Sequence, residues 1–175
     1  NLVNEFSDFA RMPKPTLKDN DLIKILNENI KLLNEIDNSI KIKLKRDNDK
    51  ILFNCDKEQI SRVFFNLIKN SVESIQQKAE KSGDFEKNIS IEIIHDNDHI
   101  KVIIIDNGIG LEKINNIKDI LNPYFTTKKE GTGLGLSIVN KIINDHDGKL
   151  LFFPIKNGAK VEIIFKLDVS RNFNS

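Results

Sequence analysis

The sequence predicts an α+β fold, a two-layer sandwich with helices on one face of a mixed, mostly antiparallel sheet of about five strands. Three observations carry that expectation. A long stretch from 57 to 80 repeats apolar residues with helical spacing, at Ile60, Val63, Phe64, Leu67, Ile68 and Ile75. Short runs that alternate apolar and polar residues come in pairs before and after it. The order of these segments is helix, two strands, helix, two strands, a long irregular connection, helix, two strands, which segregates helices against a single sheet. The connection from 106 to 135 is longer than compact domains usually tolerate without a functional reason, such as a lid.

Taken in order, residues 1 to 12 read as the end of a helix, with Leu2, Val3, Phe6 and Phe9 at spacings of three and four. Pro13 and Pro15 then disfavour helix at the residues before them and set a boundary near 12. Asp19 or Asn20 caps a helix whose apolar face is Leu22, Ile23, Leu26, Ile30 and Leu33. Ile40, Ile42 and Leu44 alternate with lysines as a half-exposed strand, and Ile51-Leu52-Phe53 forms a short second one. Asp56 stands where a cap belongs, with Gln59 three residues on, before the long helix.

After a loop over 80–88, Ile89, Ile91 and Ile93 alternate, and a turn at Asp96-Asn97-Asp98 leads into Ile100 to Ile105. That run is apolar on both faces, as a central strand should be. A short helix is expected near Glu112 to Leu121 and another at about 134 to 146, closed by Gly148 as a C-cap. Leu150–Phe153 and Val161–Leu167, joined through Asn157-Gly158, make a terminal hairpin.

Composition narrows function by exclusion. The 175 residues carry 27 Lys and Arg against 26 Asp and Glu, a formal charge of +1, which argues against binding nucleic acid or a membrane surface through net charge. One cysteine, Cys55, excludes an internal disulfide framework and a cysteine-rich zinc site and suits a reducing compartment. No apolar run approaches the roughly 18 residues that span a bilayer, and no signal-peptide pattern opens the chain. Because it begins with Asn rather than Met, the chain reads as a piece of a longer protein. Its 28 Ile, 23 Lys and 22 Asn against four Arg point to an AT-rich coding genome more than to any structural demand.

Three clusters carry chemistry. Asn66, Asn70 and Glu73 share one helix face by spacings of four and three. Helix interiors disfavour Asn, so two on one stripe read either as oxygen ligands for a hard cation such as Mg²⁺ or as surface residues of an Asn-rich chain. The second cluster, Asp106-Asn107-Gly108-Ile109-Gly110-Leu111, follows the apolar strand directly. A carboxylate there can accept from a planar donor such as an adenine amino group, with Gly108 and Gly110 allowing close approach of a flat ligand. The plain alternative is an Asn-Gly hairpin turn, which requires a strand immediately afterwards, whereas LEKINNIKDI looks helical.

The third cluster runs from Thr126-Thr127-Lys128 to Gly131-Thr132-Gly133-Leu134-Gly135-Leu136-Ser137. Glycines opening an apolar helix expose backbone N–H groups at its positive end, an anion site that is a weak signal alone. No strand precedes this run and no ribose-binding acid follows about 20 residues later, so a Rossmann reading fails. The P-loop pattern is absent as well.

In this order the clusters resemble the N box (NLIKNSVES), G1 box (DNGIGL), F box (PYFTTK) and G2 box (GTGLGLSIV) of the histidine-kinase catalytic and ATP-binding domain. That domain belongs to the superfamily of gyrase, Hsp90, histidine kinases and MutL. The resemblance covers roughly 17 to 168. The segment NEFSDFARMPKP looks like the end of the dimerisation helix hairpin in nitrogen-regulation sensor kinases of the NtrB and NtrY kind, NtrY being the nearer.

The resemblance implies residues 1–15 as the end of that hairpin and its linker, 16–170 as the ATP-binding domain and 171–175 as a tail. It implies ATP and Mg²⁺ as cofactors, with Asn70 the metal ligand, Asn66 beside the phosphates and Lys128 a charge partner. Asp106 would accept from adenine, with Gly108 and Gly110 lining the base pocket, and Glu73, Leu111, Thr126, Thr127 and Leu136 beside the nucleotide. The lid would be anchored by Tyr124 and Phe125, and Gly131, Thr132, Gly133, Leu134 and Gly135 would cradle the phosphates.

Superfamily ATPases place a glutamate four residues before the metal Asn; here Asn66 stands there, which favours transfer to a protein nucleophile over hydrolysis. The family's phosphoacceptor His box is missing, since His95 and His99 flank a turn and His146 closes a helix, each reading as a solvated side chain. The chain alone is therefore expected to bind nucleotide without autophosphorylating. Its implied partners are a receiver domain and, in the full-length protein, a second copy through the dimerisation helices, with no nucleic acid and no membrane contact by this piece. The implied location is cytoplasmic, whether or not the parent is anchored in the inner membrane. The rival readings are an ATPase or Ser/Thr kinase of the same superfamily, and a catalytically silent nucleotide-binding module.

Overall fold

A computed structural model describes residues 3, 7, 11–111, 114, 116–122 and 135–167. Among the described residues seven strands form two sheets. β2 (Lys41–Lys45), β4 (Asn88–His95), β5 (His99–Asp106), β7 (Gly158–Lys166) and β6 (Gly148–Ile155) lie side by side in that order. Only β2 and β4 run parallel; the rest of this sheet is antiparallel. β1 (Lys18–Asp21) and β3 (Leu52–Cys55) make a separate antiparallel pair.

The helices α1 (Leu22–Ile36), α2 (Lys57–Ser82) and α3 (Gly135–Asp145) form the second layer among the described residues. The alternation read from the sequence sends Ile89, Ile91 and Ile93 of β4, and Ile100, Val102 and Ile104 of β5, into one core with Val161, Ile163 and Phe165 of β7. Against them pack Ile60, Val63, Phe64, Leu67, Ile68, Val72 and Ile75 of α2 and Ile138, Val139, Ile142 and Ile143 of α3. β5 is the middle strand, as its two apolar faces predict, and Ile103 on its helix-free side is 9% exposed. Among the described residues no helix is long and apolar enough to cross a membrane.

Asp56 caps α2 as expected, accepting from the Gln59 backbone N–H at 3.1 Å. The same residue accepts from the Thr16 N–H at 2.9 Å through its other carboxylate oxygen, and its own N–H donates to His146 Nε2 at 3.1 Å. Gln59 Nε2 in turn donates to the carbonyl of Pro13. The segment entering the domain is thus tied to the first turn of α2.

Several expectations are corrected. Asp19 and Asn20 do not cap α1, because Lys18–Asp21 pairs with β3 and the Asn20 amide donates to the Cys55 carbonyl across that pair. The cap is Asp21, which accepts from the N–H groups of both Ile23 and Ile51. In place of a helix near 112–121 there is one 3₁₀ segment, Ile117–Leu121, started by Asn116 accepting from Lys118 and anchored by buried Ile120. Residues 112, 113 and 115 lie outside the described set.

Gly148 is no C-cap either. The chain reverses at Asp147, φ 56°, and Gly148 opens β6 where a Cβ would come within 2.9 Å of both Phe165 and Ile143. The hairpin turn is Lys156-Asn157, with Asn157 at φ 60°, and Gly158 is already paired in the ladder. His95 and His99 are exposed, but His146 is buried. Since the Asp56 N–H can only donate, His146 accepts on Nε2 and gives its Nδ1–H to the Ile142 carbonyl at 2.7 Å. It joins the end of α3 to the start of α2. Val3 and Ser7 carry helical backbone, while Leu2, Phe6 and Phe9 lie outside the described residues.

Candidate functional site

The site is built where the middle strand ends against α2. β4 and β7 hold Asp106 on both sides, opposite Ile89 and Ala159, so its backbone is fixed by the sheet. Its side chain is turned from solvent, 6% exposed. One carboxylate oxygen accepts from the N–H of Gly108 at 2.9 Å. Burial raises the carboxyl above its ordinary value, while the Gly108 and Ala159 amides, the Ser71 hydroxyl and the charge of Lys78 pull the other way. A buried acceptor with a preset orientation is what recognition of an amino group requires.

Residues 107–111 turn without forming a strand, against the hairpin alternative for Asn107-Gly108. The turn is instead braced from three sides. Asn107 accepts from the Asn88 N–H through Oδ1 and donates to the Glu86 carbonyl through Nδ2, while its own carbonyl accepts from Lys78 Nζ at 2.9 Å. The Ile109 N–H donates to the Ser74 hydroxyl at 3.0 Å.

The two glycines meet different demands. A Cβ on Gly108 would strike the Ser74 hydroxyl and lie 2.8 Å from the backbone nitrogen of Ile75, so its close neighbour is α2. Gly110 does need its left-handed backbone, φ 77°, and a Cβ there would stand 2.8 Å from the Gly158 carbonyl. A Cβ on Gly158 would in turn collide with the Asp106 carbonyl oxygen. Strand end, turn and hairpin therefore interlock through backbone contacts that exclude side chains.

Asn66, Asn70 and Glu73 lie along α2, all half-exposed, with Lys69 Nζ 3.8 Å from the Glu73 carboxylate. Asn70 and Glu73 bracket Ser71 in sequence, so they sit close to the end of β5. Amide and carboxylate oxygens are hard donors, and this set fits Mg²⁺. Among the described residues no group of three or more His, Cys, Asp or Glu could hold a metal alone. Such an ion would need oxygens from a phosphate ligand as well.

Of the third cluster, Gly135 begins α3 and Leu136 packs half-buried against the core. Leu111 is half-exposed just after the turn. Tyr124, Phe125, Thr126, Thr127, Lys128, Gly131, Thr132, Gly133 and Leu134 lie outside the described residues. Sequence reasoning missed Ser71, Ser74, Lys78 and Gly158. A signal for the first two was present: hydroxyl residues interrupt the apolar stripe of α2 between Ile68 and Ile75.

Similarity to known proteins agrees with this arrangement. Residues 55–171 match the family described as histidine kinase-, DNA gyrase B-, and HSP90-like ATPase. An NtrY-like sensor histidine kinase of Rickettsia bellii is 33% identical over 172 residues, which is 96% of this chain and 27% of that protein. The nitrogen regulation protein NtrY of Azorhizobium caulinodans is 31% identical, with 95% of this chain and 22% of the relative covered. The chain thus spans about a quarter of the length of these curated relatives. The solved catalytic domain of the histidine kinase ThkA superposes with a TM-score of 0.74 at 26% identity, covering 86% of this chain and 95% of that one. With two thirds of its length inside the family match and the same sandwich in its structural neighbours, this chain belongs to the histidine kinase, DNA gyrase B and HSP90-like ATPase family.

Proposed function

We propose that this chain is the ATP-binding catalytic part of an NtrY-like sensor histidine kinase, which passes the γ-phosphoryl group of ATP to a His on a dimerisation domain and from there to an Asp of a response-regulator receiver. The observation that carries the reading is Asp106, a buried carboxylate preset by the Gly108 N–H at the end of the middle strand. In this reading residues 1–15 end the dimerisation hairpin and its linker, 16–170 form the ATP-binding domain and 171–175 a tail.

Asp106 accepts from the adenine amino group, Leu111 and Leu136 lie beside the base, and Asn66, Asn70 and Glu73 face the phosphates. Asn70 holds Mg²⁺, which supplies charge neutralisation on the transferring phosphoryl group. Thr126, Thr127, Lys128 and the glycines at 131, 133 and 135, with Thr132 and Leu134, complete the phosphate side. The chain's own task is to bind and orient ATP, since positioning carries most of phosphoryl transfer. Asn66 in place of a water-activating glutamate supports transfer over hydrolysis.

Two solved relatives support the ligands at the level of fold. ShkA was crystallised with AMPPNP and ThkA in complex with the response regulator TrrA. The test is calorimetry of ATP binding to the parent chain and to Asp106→Asn. Because hydrogen bonds to charged groups contribute about 1.5–3 kcal/mol, the variant should bind at least about tenfold more weakly. Equal affinities would remove Asp106 from the base site.

A further inference from the structure

Beside the stripe that faces the phosphates, α2 carries a second polar stripe. Ser71, Ser74 and Lys78 follow spacings of three and four and so share one side of the helix. Ser71 meets the last residue of β5, and Ser74 and Lys78 meet the turn after it. The Ser71 hydroxyl acts on the Asp106 carboxylate, and the Ser74 hydroxyl and carbonyl both receive the Ile109 N–H, at 3.0 and 3.3 Å. Lys78 Nζ donates to the Asn107 carbonyl at 2.9 Å, and its ammonium lies 4.6 Å from the centre of the Phe85 ring.

We propose that Ser71, Ser74 and Lys78 are positioning residues for the nucleotide base, setting the turn at 107–109 so that Asp106 is held in the orientation that accepts from adenine. The proposal rests on the reading of Asp106 given above.

The turn reaches the carboxylate through one hydrogen bond. The Gly108 N–H fixes an oxygen of Asp106, so wherever the turn places Gly108, the carboxylate must follow. Gly108 lies between the residue held by Lys78 and the residue held by Ser74, and it rests on the backbone of Ser74 itself. A shift of either neighbour moves the donor. The Ser71 hydroxyl and the Ala159 N–H act on the same carboxylate from the helix and the neighbouring strand.

A purely structural role predicts something different. The contact of Ser74 with Ile109 is at the surface, where removing a neutral hydrogen bond costs little stability. Its loss would then be felt in melting and not selectively in the base. As positioning residues, Ser74 and Lys78 affect binding of the base and leave the phosphate side alone.

The experiment measures affinities of the chain for ATP, adenosine and Mg²⁺-tripolyphosphate in competition against a fluorescent adenine nucleotide. The variants are Ser74→Ala, Lys78→Met and Lys78→Arg, each alone and combined with Asp106→Asn. Ser74→Ala and Lys78→Met should each weaken ATP and adenosine by about threefold to tenfold. Tripolyphosphate binding should stay at the parent value, and Lys78→Arg should recover most of the loss. Combined with Asp106→Asn, neither should cause a further loss, because both act through that carboxylate.

The proposal is overturned if Asp106→Asn weakens adenosine while both stripe variants leave it unchanged. Losses that multiply with that of Asp106→Asn, or that fall equally on tripolyphosphate, overturn it too. If Asp106→Asn itself leaves adenosine binding unchanged, the base assignment fails first and the stripe's role with it. Should Lys78→Met not fold, Ser74→Ala alone decides by the same criteria.

Discussion

The two polar stripes of α2 are neighbours on one helix and serve opposite ends. Asn66, Asn70 and Glu73 are half-exposed and look outward, while Ser71, Ser74 and Lys78 are engaged with the strand end and the turn. The inward one joins the helix layer to the middle strand of the sheet. A helix that carries candidate ligand oxygens along one line and braces a loop along the next brings the two within one turn of each other, so each can be perturbed separately.

The largest expected effect comes from breaking the inward side. Gly108→Ala puts a methyl group 2.7 Å from the Ser74 carbonyl carbon, against backbone that cannot rotate away. Urea denaturation should show a loss of about 2–3 kcal/mol, the range of overpacking. A loss below about 1 kcal/mol would mean that the turn is not seated on α2 as described. Altering the outward side should do the reverse. Asn70→Asp should leave stability within about 0.5 kcal/mol, as for an ordinary surface change. It should alter the gain in ATP affinity on adding Mg²⁺ by at least about tenfold. An unchanged Mg²⁺ effect would free Asn70 of the metal role and erase the contrast.

The smallest effect is one of sign. Burial raises the Asp106 carboxyl above its ordinary value, so the folded chain keeps the proton to higher pH than the unfolded one. Below the ordinary value both states are protonated and the group is neutral towards stability. As pH rises from there through the raised value, ionisation costs the fold. Asp106→Asn should therefore match the parent in acid and be more stable near pH 7, while it binds ATP less well. Asp37 works in the opposite sense. Hydrogen bonds from Ser39 and then Gln76 hold its carboxyl below the ordinary value, so its contribution is present above that value and lost as pH falls through the depressed one. A parent chain that outlasts Asp106→Asn in urea at pH 7 would contradict the desolvation argument.

Much of this was readable from periodicity. The strands at 89–93 and 100–105 and the long helix with its Asp56 cap all follow from apolar spacing and local capping chemistry. What spacing could not show was decided across the fold. The role of Gly158 depends on a carbonyl 52 positions earlier in the chain, and that of Gly148 on Phe165 and Ile143. His146 looked solvated beside two aspartates, yet its partner is an amide on another helix. Asp21 rather than Asn20 caps α1 because the pairing of β1 with β3 occupies Asn20. In the candidate site, residue types pointed to Asp106 and the two asparagines, but Ser71 and Ser74, which meet Asp106 and the turn after it, look ordinary until the turn is seen resting on them.

The contacts of Asp56 bear on how this domain can move. A body turns about the last loose joint before it, and the entering chain is not loose. Met12 packs on the core, the Pro13 carbonyl is held by Gln59, and the Thr16 N–H is held by the residue that also caps α2 and receives α3 through His146. Two prolines stiffen the stretch between. The stretch from Met12 to Thr16 therefore moves with the domain. Torque arriving along residues 12–16 is delivered straight to the start of one helix and the end of another, with no slack between.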